Sequence, residues 1–179
     1  MINLLVEKMV EASVKQRSAI YKFVVLIVGA SIFLIIIPHL LLLASYDIQE
    51  YFLSHRLRLL QIMLGFLCLA YGFFVLVWSV FSLVKNGRGT PVPIAPTQKL
   101  IVDGPYRKRR NPMLLGAIIY CLGVGTILES ITIGLIMSFL VLALGTCYGK
   151  FIEEKELRIR FGQEYEQYRE KTPFLMPRF

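Results

Sequence analysis

Residues Leu59–Val84 read LLQIMLGFLCLAYGFFVLVWSVFSLV and carry no charge. A helix needs about 20 apolar residues to cross the roughly 30 Å hydrocarbon core of a bilayer, and this run exceeds that. Outward from it, apolar and charged stretches alternate. Tyr21–Ser45 carries one charge, Lys22, and is also long enough to span. Leu114–Leu128 and Ile131–Tyr148 are two further apolar runs, separated only by Glu129–Ser130. Each is shorter than a comfortable span and together they exceed one helix. A helical hairpin is therefore expected, with Glu129 at its outer tip. At 56% apolar and a mean hydropathy of +0.62, the chain reads as a membrane protein rather than a soluble domain. The expected fold is all-α: a polytopic membrane bundle of four spans, the last two forming the hairpin. An N-terminal amphipathic helix precedes the spans and cytoplasmic helices follow them.

The basic residues orient these spans. Lys8, Lys15, Arg17 and Lys22 precede or open the first span. Lys85, Arg88, Lys99, Arg107, Lys108, Arg109 and Arg110 lie between the second and third. Lys150, Lys155, Arg158, Arg160, Arg169, Lys171 and Arg178 follow the fourth. Four spans put all of these on one side, leaving only Arg56 and Arg58 of the 20 Lys and Arg on the other. By the positive-inside rule both termini and the long loop face the cytoplasm. The net charge of +8 is then mainly a topology signal, aided by anionic headgroups. No folded soluble module supports a nucleic-acid partner.

The chain is expected to form one membrane domain over 1–179. It comprises an interfacial helix (1–19), spans one and two (20–84), a Pro-rich loop (85–112), the hairpin (113–150) and C-terminal helices (151–179). The opening NLLVEKMVEASVKQRS spaces Leu4, Leu5, Val6, Met9, Val10 and Val14 helically, as an interfacial helix does. No cleavable leader is expected, because the first apolar run is too long for one and follows a charged segment. Cys68, Cys121 and Cys147 sit inside apolar runs at unrelated spacing, as packing residues do, with no metal site or disulfide expected. Pro38–His39 interrupts the first span and allows two readings. His39 is a functional intramembrane imidazole, or it accompanies a proline kink, bonded to a freed carbonyl or near the far interface.

The long polar stretch Lys85–Met113, KNGRGTPVPIAPTQKLIVDGPYRKRRNPM, holds five of the eight prolines. A stiff, basic loop of this kind suits a site for something polar at the membrane surface. Its end opens span three, where Pro112 presets the first turn and Asn111 can cap it. Such a helix start favours an anion such as a carboxylate. Span four returns to the same end and continues as FIEEKELRIRFGQEYEQYREK, a helix expected to stop at Gly162, with a second short helix carrying Tyr165 and Tyr168 and ended by Pro173 and Pro177. Glu154–Arg158 and Glu156–Arg160 read as surface i,i+4 pairs. Glu153 and Glu154 fall where the helix leaves the membrane, beside the hairpin's other leg. An acidic pair next to a helix start and the basic run Arg107–Arg110 suits a small zwitterion.

These residues carry a resemblance. GTPVPIAPTQKLIVDGPYRKRRNPMLLG is similar to the cofactor loop of the integral-membrane S-adenosylmethionine (SAM) methyltransferases. That group includes the isoprenylcysteine carboxyl methyltransferases and the phospholipid N-methyltransferases. Glu153–Glu154, Leu157, RFGQEYEQY and the final PRF resemble the second half of its signature. The likeness runs from Gly87 to Phe179; spans one and two carry no signature. It implies that Gln98, Lys99, Leu100 and Ile101 line a cofactor pocket and that Tyr106 packs on the cofactor. Asn111, Pro112, Met113 and Leu114 would form the pocket wall, and Glu153 and Glu154 would hold the cofactor's polar end. Glu154 is the candidate catalytic base and Arg110 the candidate for orienting acceptor or cofactor.

The carboxyl methyltransferases usually have His-Pro with a Tyr two positions after the proline, where this chain has Asn111-Pro112-Met113-Leu114. They also place an arginine four residues before the acidic pair, where this chain has Gly149, and the neighbouring Lys150 is a poor substitute for a bidentate fork. The resemblance therefore favours methylation of a phospholipid amine or similar lipid over a prenylcysteine carboxylate. Two other readings compete. Sterol-type membrane reductases share a related C-terminal architecture and use NADPH, but have an Arg-His-Pro-Asn-Tyr type motif at the equivalent helix start. A non-catalytic membrane protein of the same fold would keep a decayed site, which the intact loop and acidic pair argue against.

Overall fold

The computed structural model describes residues 2–14, 18–44, 55–92 and 94–176, and among them all regular structure is helical. Lys15, Arg17, Ser45, Pro93, Pro177 and the terminal PRF, to which the sequence reading gives roles, lie outside the described residues. The elements are α1 (Ile2–Val14), α2 (Ala19–Ser31), α3 (Ile37–Ala44), α4 (His55–Gly87), α5 (Pro112–Leu128), α6 (Ile131–Tyr148) and α7 (Glu154–Lys171). A π-helical turn, Ile32–Ile36, joins α2 to α3, and a second, Gly149–Glu153, joins α6 to α7. Among the described residues three helices are long and apolar enough to cross a membrane: Ala19–Leu40, Leu57–Gly87 and Ile131–Lys171. The last is apolar through Tyr148 and highly charged beyond it. Pro112–Leu128 is apolar but shorter. The outward faces of α2, the π turn after it and α4 expose Phe23, Ile35, Leu67 and Phe74 among many other large apolar side chains. A monomer in water rarely shows so much apolar surface, whereas hydrocarbon accepts it.

Lipid tails are as apolar as Leu, so close packing must hold spans together. Gly65 and Gly72 of α4 face Gly123 and Gly116 of the antiparallel α5. A Cβ on Gly72 would lie 2.4 Å from the Tyr120 nitrogen, and one on Gly123 2.5 Å from the Leu69 nitrogen. Only backbone-to-backbone contact leaves so little room. On its other face α5 packs on α6 through Cys121, Val124, Ile133 and Met137, all buried. The Ser138 hydroxyl donates to the Ile118 carbonyl at 2.9 Å. Cys147, expected as a packing residue, instead faces outward.

Polar groups close the helix ends. Ser18 accepts from the Tyr21 N–H, and Ser130 caps α6 by accepting from the Ile133 N–H at 3.2 Å. At the far end of α5, Arg58 donates to the Glu129 carbonyl at 2.6 Å and Gln61 to the Thr126 carbonyl at 2.9 Å. Pro38 offers no N–H to the Leu34 carbonyl one turn earlier. The Tyr120 hydroxyl fills that role at 3.2 Å, and the His39 imidazole has no hydrogen-bond partner among the described residues. A lateral cavity of about 350 Å³ opens beside this kink, lined by Leu34, Pro38, His39, Phe66, Tyr120 and Val124.

Around the polar end the helices interlock. α7 breaks at Gly162, whose φ of 50° and ψ of −123° suit glycine and few other residues, so the expected stop is a kink between two helical arms. The expected interfacial helix α1 docks on α7 through Val6, which is 1% exposed, and Lys155 donates to the Asn3 side chain. Lys22 ties the start of α2 to the Pro-rich loop by donating to the Arg88 carbonyl at 2.6 Å.

Candidate functional site

The start of α5 and the exit of α6 meet as their sequence suggests. Asn111 caps α5 by accepting from the Leu114 N–H at 3.0 Å, and its Nδ2 donates to Glu153 Oε2 at 3.1 Å. The π turn before α7 carries Glu153 into this contact. Such turns shift the hydrogen-bond ladder by one residue and often mark functional sites. Burial, followed by the fields of Glu156 and Glu154, pushes the Glu153 carboxyl up to about 7. Glu153 has no cationic partner in an ion pair among the described residues.

Glu154 behaves differently. Its Oε1 lies 2.6 Å from Arg110 Nη1, with the two side chains 13% and 12% exposed. Arg110 also donates to the Tyr165 hydroxyl at 3.3 Å, and its buried Nε has no partner. Glu154 Oε1 likewise accepts no aligned hydrogen bond despite the short ion-pair distance. A buried donor and acceptor left this way carry a desolvation cost that a polar ligand would relieve. The expected surface pair Glu154–Arg158 does not form: Arg110 holds Glu154, while Arg158 pairs with Glu166 at 3.0 Å. The less solvated partner gives the stronger Coulomb attraction.

The second expected surface pair is also corrected. Glu156 and Arg160 do pair, but buried, and the Arg160 guanidinium also donates to the Thr97 carbonyl of the Pro-rich loop. That loop holds its shape by the Thr90 N–H donating to the Ala95 carbonyl at 2.8 Å and the Gln98 N–H to the Gly87 carbonyl at 2.6 Å. Among its expected pocket residues, Gln98 and Lys99 are exposed, Leu100 is half-buried and Ile101 is buried near Gly87. Tyr106 is buried in a 3-10 turn, Gly104–Arg107, and its carbonyl accepts from the Tyr168 hydroxyl at 2.6 Å. Burial, then the Glu153 charge, raises the Tyr106 phenol well above its ordinary value. Pro112 and Leu114 are buried and Met113 half-buried, with Leu114 packed on α6 at Gly145.

The C-terminal tail completes the site. The Arg110 N–H donates to the Pro173 carbonyl at 2.9 Å and the Asn111 N–H to the Phe174 carbonyl at 3.1 Å. The tail thus takes the N–H groups of the two residues that lead into α5, and the Asn111 side chain takes that of Leu114 in its first turn. The Phe174 ring lies 5.8 Å from both the Arg110 guanidinium and Lys150 Nζ. A Cβ on Gly149 would sit 2.7 Å from that ring, so Gly149 makes room for it. Between these groups is a cavity of about 20 Å³, lined by Arg110, Asn111, Glu153, Glu154, Leu157, Tyr165, Tyr168 and Phe174. That is room for about one water.

Arg110, Asn111, Glu153 and Glu154 are therefore brought together, Tyr106 lies at their edge, and Gln98–Ile101 do not line the cavity in this arrangement. Phe174 is the wall residue that the sequence reading missed. No local signal marks it, since only the return of the tail brings it to Asn111. The residues fit a ligand bearing an ammonium and a carboxylate: Glu153 lacks a cation, and Arg110 keeps a free buried donor. A ligand larger than water requires Phe174 and the tail to move.

The phospholipid methyltransferase family model matches residues 60–164, more than half of the chain, and the chain belongs to that family. The match takes in most of α4, expected to carry no signature, and ends before Tyr165. No curated protein matches the chain. With its long apolar helices, the chain is an integral membrane protein of a methyltransferase family.

Proposed function

We propose that the chain moves a methyl group from SAM to a membrane-dissolved acceptor, a phospholipid amine or similar lipid, at the cytoplasmic end of the α5–α6 hairpin. The observation that carries this reading is Glu153: a half-buried carboxylate without a cation among the described residues, held by Asn111 beside the Arg110–Glu154 pair. SAM, when bound, supplies an electrophilic methyl group. The ammonium of its amino-acid end would lie against Glu153 and Glu154, and its carboxylate against Arg110. Tyr106 and the Asn111–Leu114 segment would back the site, with Gln98–Ile101 closing it from the loop.

An ammonium headgroup must lose a proton before its nitrogen can attack. The base that takes this proton works best with a pKa near the operating pH. The geometry favours Glu153 over Glu154 for this role, because Arg110 already occupies Glu154. Phe174 and the buried Tyr165 and Tyr168 exclude water, which strengthens every charge interaction in the site. Phe174 also fills the space beside Gly149 that an arginine would need to grip a carboxylate substrate, which supports an amine acceptor.

In this reading the chain is one domain of four spans, α2–α3, α4, α5 and α6. Both termini and the Pro-rich loop face the cytoplasm, in an inner membrane or the endoplasmic reticulum. Calorimetry in detergent tests the donor site: the wild-type chain binds SAM and the Glu153→Ala, Glu154→Ala double variant does not. Unchanged binding by that variant would remove the assignment. Incubation with radiolabelled SAM and total lipid extract then identifies the labelled acceptor.

A further inference from the structure

Arg160 and Glu156 are buried together, with side chains 7% and 4% exposed, at the interface between α7 and the Pro-rich loop. One terminal nitrogen of the guanidinium meets Glu156 Oε1, the other donates to the Thr97 carbonyl, and the Phe161 ring lies 4.8 Å from its centre. Thr97 follows Pro96, which has no N–H to give, and precedes Gln98. The stretch 94–102 has no helix or strand to brace it. Its described polar anchors to the rest of the chain are the Ala95 bonds to Thr90 and Val92, the Gln98–Gly87 bond and this arginine, the one that comes from α7. A planar fork can serve a carboxylate and a carbonyl at once, which an ammonium cannot do with the same geometry.

We propose that Arg160 is a positioning residue that fixes the donor-binding loop, through the Thr97 carbonyl, to the same helix that begins with the acidic pair. Glu156 holds the guanidinium in place. Residues Gln98–Ile101 and Glu153–Glu154 thereby belong to one rigid unit, although more than fifty residues and two spans separate them. The inference rests on the reading of Gln98–Ile101 as donor-binding residues.

Removing Arg160 alone strands Glu156 as a buried charge and risks unfolding. The decisive variant is the double Glu156→Met, Arg160→Met, in which an apolar pair replaces the ions and stability is kept while the grip on Thr97 is lost. Amide hydrogen exchange without SAM should speed up in 97–102 and stay unchanged in α5 and α6. KM for SAM should rise about tenfold, the value of a lost charge-assisted hydrogen bond, with kcat unchanged. Arg160→Lys should change KM in the same direction. Wild-type exchange in 97–102, or an unchanged KM in the double variant, would overturn the proposal while leaving the methyltransferase reading intact. Conversely, faster exchange in the variant of a wild-type chain that binds no SAM would remove the proposed function and keep the tether.

Discussion

The Asn111 amide and the Glu153 carboxylate join two helices that run in opposite directions. Both ends of that amide are used, Oδ1 on the Leu114 N–H and Nδ2 on Glu153 Oε2, so its orientation is fixed by chemistry. One side chain starts α5 and holds the acidic group that leaves α6.

These two duties can be separated. Serine caps helices about as well as asparagine but cannot reach across with an amide donor. Asn111→Ser should keep the melting temperature while weakening SAM binding about tenfold. Asn111→Ala should lose a further ~1 kcal/mol of stability with the cap. Thermal melts and calorimetry on the two variants check this, and equal binding by Asn111→Ser and wild type would sink it.

Glu153 predicts an unusual pH dependence. Its ordinary value is 4.5 and its folded value about 7, so between these the folded chain keeps a proton that the unfolded chain releases. Stability is therefore full below the lower value and falls as pH rises through the upper one, by on the order of 3 kcal/mol. Methyl transfer to an amine should rise over the upper part of that window, as the base ionises. Glu153→Gln should flatten the stability profile and abolish turnover. A profile that keeps its slope in Glu153→Gln assigns the proton elsewhere.

Two arginines should respond very differently to truncation. Arg110→Ala leaves Glu154 buried and unpaired, at a cost of about 3–5 kcal/mol. Arg158 and Glu166 are 46% and 44% exposed, so Arg158→Ala should change stability by less than about 1 kcal/mol. Denaturation in detergent distinguishes them, and similar losses would contradict the burial described for Arg110.

The α4–α5 contact should tolerate no side chain at its closest points. A Cβ on Gly72 meets the Tyr120 backbone, which cannot swing aside. Gly72→Leu should cost about 3 kcal/mol or more by overpacking and lower the yield of folded protein. The same substitution at exposed Ala70, two residues away on α4, should have little effect. Size-exclusion profiles and melting temperatures report the difference.

Much of this was legible along the chain. The uncharged Leu59–Val84 run, the Glu129–Ser130 break and the skewed basic residues specify membrane helices and a hairpin. Asn111-Pro112 specifies a capped helix start, and that cap forms. Gly65–Gly72 and Gly116–Gly123 could have been read as facing stripes, since equal spacing on neighbouring spans permits antiparallel contact. Other features were not legible. The π turn before Glu153 leaves no periodic trace, because it changes a hydrogen-bond register rather than a hydropathy pattern. His39 could have served the carbonyl freed by Pro38, and only packing gave that role to Tyr120.

Sequence alone determined which segments enter hydrocarbon and where carboxylates and cations gather, because burial and spacing along one helix are local properties. Tertiary structure decided the partners: Arg110 rather than Arg158 for Glu154, Thr97 for Arg160, and Phe174 over Asn111. Those choices depend on which groups lose water together when separate helices close, and nothing local to any one helix encodes that.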